Sequence, residues 1–186
     1  MTYLSKGLLL RRSGEILSIS HCGSEYELAG ERATAWEKGR CGCNETLGEI
    51  QYEAMYELVK QGLAETRQET GDGVFFRLLI NCVICPVEGG TAEILWNPNE
   101  RFLWQWINGA GLRLTIAELV FLVEKGLKPT ANLLGEPNRQ TLTEVIYTTE
   151  TILDGILESR MEKSPARDST VEAVLSLLRK NRIFLI

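Results

Sequence analysis

Near the middle of the chain, a proline and a glycine pair interrupt two apolar runs, in the segment Pro86-Val87-Glu88-Gly89-Gly90-Thr91. Proline lacks an amide donor and glycine adopts conformations that other residues avoid, so both mark the ends of regular elements. A chain of 186 residues suits one medium domain or two small ones. The segment therefore predicts two lobes, over residues 1–88 and 91–186.

The first lobe is predicted to mix strands and helices. Ser13-Gly14 separates two short apolar runs, which is typical of a β-hairpin, and Thr70-Gly71-Asp72-Gly73 is a second glycine-rich turn. The patterns predict strands at residues 7–12, 15–20, 64–67 and 74–87, and helices at residues 30–40 and 47–63. The predicted apolar face of the second helix contains Leu47, Ile50, Tyr52, Ala54, Met55, Tyr56, Leu58 and Val59.

The second lobe is predicted to be mainly helical. Asn97-Pro98 is an N-cap followed by proline at the first helical position. Capping-box patterns occur at Thr115 with Glu118, Thr141 with Glu144, and Ser169 with Glu172. These signals predict helices at residues 98–108, 115–125, 141–161 and 171–180, with strands at 92–96 and 183–186. The predicted fold class is α+β and helix-rich.

The first lobe resembles a winged helix, a relative of the helix-turn-helix in which a hairpin forms the wing. LAGERATAWEKGR and LGEIQYEAMYELVKQGLAET match its helices, and the turn TGDG between Arg67 and Val74 matches the wing. The lobe is also similar to PqqD-like peptide-recognition domains, where a β-hairpin precedes small helices and an entry such as Leu28-Ala29-Gly30 opens the first. The second lobe resembles a more distant, mainly helical winged helix through LTIAELVFLVEKG.

The charges on the predicted helices indicate whether DNA or a protein is the more suitable partner. A helix that reads DNA usually carries Arg, Lys, Asn or Gln on its outer face. The outer faces of the two long predicted helices are instead mostly acidic, with Glu49, Gln51, Glu53, Glu57, Lys60 and Gln61 on the first helix and Glu144, Glu150, Asp154 and Glu158 on the second. The net charge is −5, with about −4 of it before Gly90. A protein or peptide partner is therefore favoured over DNA.

One basic region keeps nucleic-acid binding open as an alternative. The cationic residues near the C-terminus are Arg160, Lys163, Arg167, Arg179, Lys180 and Arg182. They are candidates for contacts with a nucleic acid or an acidic protein. Cations near the C-terminal ends of helices are also favourable for the helices themselves, which is the simpler interpretation.

Five cysteines make an odd and unevenly spaced set, so reduced thiols are expected rather than a disulfide framework. Cys41, Cys43, Cys82 and Cys85 are the candidate ligands of a zinc ion or an iron–sulfur cluster, and a redox pair is another interpretation. Cys82 and Cys85 lie in a predicted strand, where positions three apart point to opposite faces. No cofactor is therefore expected, and a metal-dependent sensor is kept as an alternative.

No enzyme motif is recognisable in the sequence. His21 is the single histidine, and we expect it to be a surface or turn residue, since no serine or cysteine accompanies it in a nucleophile context. The glycines do not form a phosphate-binding loop. Trp104 is expected to face away from the core, covered by the other lobe or available to a partner.

No apolar stretch reaches the length of a secretory signal core or a membrane span, so we expect a cytoplasmic protein without membrane contact. The sequence predicts a non-enzymatic regulatory or adaptor protein that binds a protein or peptide. A DNA-binding transcriptional regulator and a metal-dependent sensor are the alternatives.

Overall fold

A computed structural model describes residues 1–45, 48–88, 95–109, 113–134, 139–148 and 156–186. The chain forms two compact units, one of Met1–Cys82 with Phe184–Ile186 and the other of Val83–Ile183. The division falls between Cys82 and Val83, a few residues before the predicted segment. Helices and three small antiparallel sheets make up the described part of the chain, which is a mixed α and β fold consistent with the α+β class.

The first unit begins with four strands, followed by alternating helices and strands. In chain order its elements are β1 (Thr2–Ser5), β2 (Leu8–Ser13), β3 (Ile16–His21), β4 (Ser24–Leu28), α1 (Gly30–Gly39), β5 (Cys43–Asn44), α2 (Glu49–Lys60), β6 (Ala64–Arg67) and α3 (Val74–Leu79). One antiparallel sheet has the order β2-β3-β4, and another has the order β5-β1-β6. The predicted β2–β3 hairpin is confirmed, with Ser13 paired to Ile16.

Strand β1 is wholly buried and lies at the centre of its sheet. Helix α1 packs against it closely: the Ser5 hydroxyl donates to the Trp36 carbonyl at 2.7 Å, and a Cβ on Gly39 would lie 2.5 Å from the Tyr3 ring. Only glycine fits that contact without a shift of the helix. The core of the unit consists of Tyr3, Leu17, Ile19, Leu28, Ala33, Ala35, Trp36, Cys43, Ala54, Met55, Leu58, Leu63 and Ala64.

The predicted strand at residues 74–87 is wrong in its first half. Residues Val74–Leu79 form helix α3, and a strand begins only at Val83. Strand β6, which precedes the Gly71–Gly73 turn, pairs with β1 instead of with the segment after the turn. The hairpin expected across this turn as a wing is therefore not formed by these residues. The resemblance to a winged helix stays a prediction that rests on the helices.

The second unit contains most of the helices. Its elements are β7 (Val83–Pro86), α4 (Pro98–Gly109), β8 (Leu114–Thr115), α5 (Ile116–Glu124), α6 (Ala131–Leu134), α7 (Arg139–Ile146), α8 (Ile156–Met161) and α9 (Arg167–Arg179), and the chain ends with β9 (Ile183–Leu185). The third sheet has the order β8-β7-β9. The Asn97 cap is confirmed, because its Oδ1 accepts from the Asn99 amide at 2.9 Å. The Thr115–Glu118 capping box is also confirmed.

The other two capping boxes are wrong. Thr141 lies inside α7, which begins at Arg139, and Ser169 lies inside α9, where its hydroxyl donates to the Ala166 carbonyl. A single helix over residues 141–161 is also wrong, because α7 ends at Ile146 and α8 begins at Ile156. Consecutive threonines after Tyr147 are poor helix formers. Most of the predicted strand at 92–96 lies outside the described residues, as do Leu47, Glu150 and Asp154.

Candidate functional site

Helix α2 turns large apolar side chains towards solvent. Its buried side consists of Ala54, Met55 and Leu58. The exposed apolar side chains of the helix are Ile50 (67% exposed), Tyr52 (51%), Tyr56 (57%) and Val59 (38%). The predicted apolar face of the helix is therefore only partly buried, and these four of its residues are exposed. An apolar arc wider than the usual stripe of roughly 100° was the signal in the sequence that one side would stay uncovered.

The exposed residues of α2 form two parallel rows. At 3.6 residues per turn, Tyr52, Tyr56 and Val59 lie along one stripe of the helix. Glu49, Glu53 and Glu57, each four residues from the next, form a second row beside it, and Ile50 lies on the far side of that row. We call this surface the α2 outer face, and it consists of Glu49, Ile50, Tyr52, Glu53, Tyr56, Glu57, Val59 and Lys60.

Lys60 is the cation on this face, and it contacts groups of the same helix. Its ammonium nitrogen is 3.7 Å from Glu57 Oε1 and 5.8 Å from the centre of the Tyr56 ring. The ion pair is solvent-exposed, so it contributes little to stability. The face therefore presents three carboxylates and one partly neutralised ammonium group around an apolar stripe.

Both ends of α2 are fixed by local hydrogen bonds. The Gly48 amide donates to the Gln51 side chain at 3.3 Å before the first turn. At the other end, Gly62 has φ +74°, its amide donates to the Val59 carbonyl, and the Leu63 amide donates to the Leu58 carbonyl at 2.8 Å. This is a Schellman motif, and it needs glycine at the left-handed position. The outer face is thus displayed by a capped helix anchored on the core.

Trp104 is half-buried, and the Arg182 guanidinium lies 5.7 Å from the centre of its ring. The cation covers part of the side chain that was expected to face away from the core, either under the other lobe or towards a partner. Trp96, which precedes α4, is instead the most exposed large apolar residue described, at 82%. Within the second unit, Trp96 is a better candidate for a contact residue than Trp104.

The four candidate metal ligands do not come together. Among the described residues, which include all five cysteines, no three His, Cys, Asp or Glu side chains form a group that could hold a metal ion. Burial raises the pKa of Cys82 to about 12, and its thiol donates to the Leu78 carbonyl at 3.5 Å. Burial also raises the pKa of Cys43. Cys41 is partly exposed and Cys85 is buried. For Cys43 and Cys82, burial therefore favours the protonated thiol over a thiolate ligand.

His21 is buried, at 8% exposure, so the expectation of a surface or turn residue is wrong. It ends β3, and its Nε2 lies 3.4 Å from Sγ of the exposed Cys22. Its Nδ1 has no hydrogen-bond partner among the described residues. Burial, and then the charge of Lys6, lower the pKa of His21. The imidazole is therefore held neutral in the folded chain near neutral pH.

Several of the candidate basic residues have partners within the chain. Arg182 is buried beside Trp104, and Arg167 pairs with Asp168 at 2.7 Å. Lys180 pairs with the buried Glu100, which also accepts from the Ser176 hydroxyl at 2.7 Å. Burial alone would raise the pKa of Glu100, but these hydrogen bonds outweigh it and hold the pKa below its ordinary value. The remaining candidates, Arg160, Lys163 and Arg179, are exposed.

Each unit also contains a cavity. The first unit has a polar one of about 420 Å³ between the β2–β3 turn and α1, where Arg12 pairs with Glu37. The second unit has a mainly apolar one of about 290 Å³ beside Phe102 and Val123. Neither cavity is lined by a histidine or a cysteine. Their linings therefore provide no thiol or imidazole for nucleophilic chemistry.

No family model, curated protein or solved structure matches the chain. Within the described part of the chain, no helix combines the length and apolar character that crossing a membrane requires. Among the described residues, the α2 outer face is the surface best suited to contact another macromolecule, because it exposes large apolar side chains on one helix.

Proposed function

We propose that the protein is a non-enzymatic regulatory or adaptor protein whose first unit binds another protein, or a peptide segment of one, through the α2 outer face. The observation that carries the proposal is the exposure of Ile50, Tyr52, Tyr56 and Val59 on one capped helix. In the first unit's resemblance to a winged helix, α2 corresponds to the helix that contacts the partner.

Single exposed apolar residues are common on protein surfaces and need no explanation. Four large ones within a twelve-residue helix are a different case, because a partner that covers the helix removes the stripe of Tyr52, Tyr56 and Val59 from water. Tyrosine is enriched among residues that dominate binding energies, since it provides a large contact area and loses little conformational entropy. Two of the four residues are tyrosines, which supports a binding role.

The charge of the same face supports a protein partner over a nucleic acid. Glu49, Glu53 and Glu57 would repel phosphates, and phosphate contacts supply most of the affinity in nucleic-acid complexes. The C-terminal basic residues add little to the opposite case, because Arg167, Lys180 and Arg182 already contact groups within the chain.

Affinity capture from an extract of the native host tests the proposal. The wild-type chain is compared with Tyr52→Ser/Tyr56→Ser, in which the helix keeps its propensity because serine and tyrosine rank closely. We expect bound proteins to be recovered with the wild-type chain and at least about 30-fold less with the variant, as for residues that dominate an interface.

A matched control removes two exposed apolar residues from another surface of the same unit. Leu10 and Ile16 lie in the β2–β3 hairpin and are about half exposed, so Leu10→Ser/Ile16→Ser makes a comparable change away from α2. Recovery should be unchanged with this control. Equal losses in the two variants, or no loss in either, would contradict the assignment of the surface to α2.

A further inference from the structure

The chemistry of the α2 outer face narrows the class of partner. Its apolar stripe of Tyr52, Tyr56 and Val59 runs beside a row of three carboxylates, and the ammonium group of Lys60 is already close to Glu57. The whole first unit is also acidic, with nine Lys and Arg against twelve Asp and Glu, a net charge of −3. A partner segment that covers the stripe must therefore lie in a negative potential.

A second copy of this chain is a poor occupant of the face. Symmetric dimers pair the same patch of both subunits, so contact between two α2 outer faces would place six carboxylates, those of Glu49, Glu53 and Glu57 of each copy, in one interface. Like charges placed opposite one another across an interface cost several kcal/mol. The row of carboxylates thus acts against self-association through α2 and favours a partner of opposite charge.

We propose that the partner segment is a basic amphipathic peptide of another protein. This inference rests on the proposed function and specifies the chemistry of its ligand. Apolar side chains of the segment pack on Tyr52, Tyr56 and Val59, and its Lys or Arg side chains reach the carboxylates of Glu49, Glu53 and Glu57. Cations of the segment also contact the faces of the two tyrosine rings.

The apolar stripe and the carboxylates have different effects on binding. Exposed ion pairs contribute little affinity each, so the apolar stripe supplies most of it. Opposite charge mainly accelerates encounter and excludes acidic competitors. Binding should therefore be abolished by loss of the tyrosines, but only weakened by loss of the carboxylates and by added salt.

Selection from a random peptide library displayed on phage tests the inference with the full-length chain. Peptides are selected on the wild-type chain and depleted on Tyr52→Ser/Tyr56→Ser, so that only binders of the α2 outer face remain. We expect the survivors to be enriched in Lys and Arg over the starting library, with apolar residues spaced three and four apart.

The carboxylates are tested by titrating one enriched synthetic peptide. Glu53→Gln/Glu57→Gln should weaken its binding roughly 3- to 10-fold, as expected for the loss of two exposed ion pairs. The control Glu25→Gln/Glu27→Gln removes the same charge from exposed positions on β4 and should change binding less than 2-fold, about the effect of net charge alone.

The outcomes separate this inference from the proposed function. Tyrosine-dependent peptides that are neutral or acidic would overturn the basic partner and leave a protein-binding α2 intact. A selection without tyrosine-dependent peptides would overturn both. A tyrosine-dependent dimer of the chain in sedimentation would identify a second copy as the occupant and overturn the inference.

Discussion

Helices α2 and α5 carry six large apolar side chains each, but they use them differently. Six of the nine residues of α5 are buried, and its apolar side chains surround most of the helix. In α2, three of twelve residues are buried, and four large apolar side chains face solvent. Hydrophobic content shows how much apolar surface a helix brings to the fold, whereas coverage by neighbouring elements decides whether that surface stabilises the fold or remains for a partner.

The largest expected difference between the two helices is in stability. Leu119→Ala in α5 removes a fully buried side chain and should lower the free energy of unfolding of the second unit by about 2–5 kcal/mol. The comparison variant Ile50→Ala in α2 should change stability by roughly 0.5 kcal/mol or less. Urea unfolding followed by tryptophan fluorescence measures both, because Trp36 lies in the first unit and Trp96, Trp104 and Trp106 lie in the second. Similar losses in the two variants would mean that Ile50 is covered in the folded chain.

A smaller effect is expected for the ion pair of Lys180 with the buried Glu100. Lys180→Met leaves the buried carboxylate of Glu100 with fewer partners. Breaking a fully buried ion pair costs about 3–5 kcal/mol. Because the Lys180 side chain is 40% exposed, we expect the free energy of unfolding to fall by only about 1–2 kcal/mol. Lys163→Met is the exposed control and should be nearly neutral. Urea unfolding at pH 7 measures the difference, and equal effects of the two substitutions would contradict the account.

The same pair has a defined pH dependence. The pKa of Glu100 is lowered in the folded chain. The ionised carboxylate therefore contributes fully to the free energy of unfolding above pH 4.5, the ordinary pKa of a glutamate. This contribution is lost as the pH falls through the pKa of Glu100 in the folded chain. The destabilisation caused by Lys180→Met should therefore shrink below about pH 4. A difference between variant and wild type that stays constant down to pH 3 would contradict this cause.

The first unit has its own pH dependence, through His21. Because its pKa is lowered in the folded chain, the unfolded chain binds a proton more readily once the pH falls towards the ordinary value of 6.5. Stability of the first unit should fall as the pH drops through this range, and His21→Gln should remove part of that fall. Urea midpoints at pH 7.5 and 5.5 test this, and identical shifts in variant and wild type would exclude His21 as the cause.

Features set by neighbouring residues were predictable from the sequence. The β2–β3 hairpin, helix α1, the Asn97 cap and the Thr115–Glu118 capping box each depend on a few adjacent side chains and occur as predicted. Features set by distant contacts were not. The aromatic residues at the start of α3 favour a strand locally, yet the segment is helical, and no local pattern links Glu100 to Lys180, eighty residues away.

At the α2 outer face, too, the sequence predicts the local structure but not the distant contacts. The spacing of α2 predicts its residues correctly as a helix, but which of its two apolar sides is covered depends on where α1 and β6 lie. Trp104 was expected to face away from the core because its neighbours form the inward stripe of the helix. The Arg182 guanidinium that covers part of its ring lies seventy-eight residues further along the chain, so no local pattern could indicate this contact. Sequence patterns thus identify candidate contact residues, and the tertiary contacts select among them.

Only a small effect on stability is expected for the two tyrosines, which have the largest expected effect on binding. Tyr52→Ser/Tyr56→Ser should change the free energy of unfolding by no more than roughly 0.5 kcal/mol per substitution, since both side chains are more than half exposed. Urea unfolding of the first unit measures this. A loss of several kcal/mol would show that the tyrosines support the fold, which would weaken their assignment to a binding surface.

Site-specific photo-crosslinking in the native host tests whether the α2 outer face binds another protein. A benzoylphenylalanine residue replaces Tyr56 in the α2 outer face or, as the control, Ile16 in the β2–β3 hairpin. The account predicts a discrete covalent adduct with another protein from position 56, absent when Tyr52 and Val59 are also changed to serine, and no such adduct from position 16. Adducts of equal yield from both positions, or none from position 56, would contradict it.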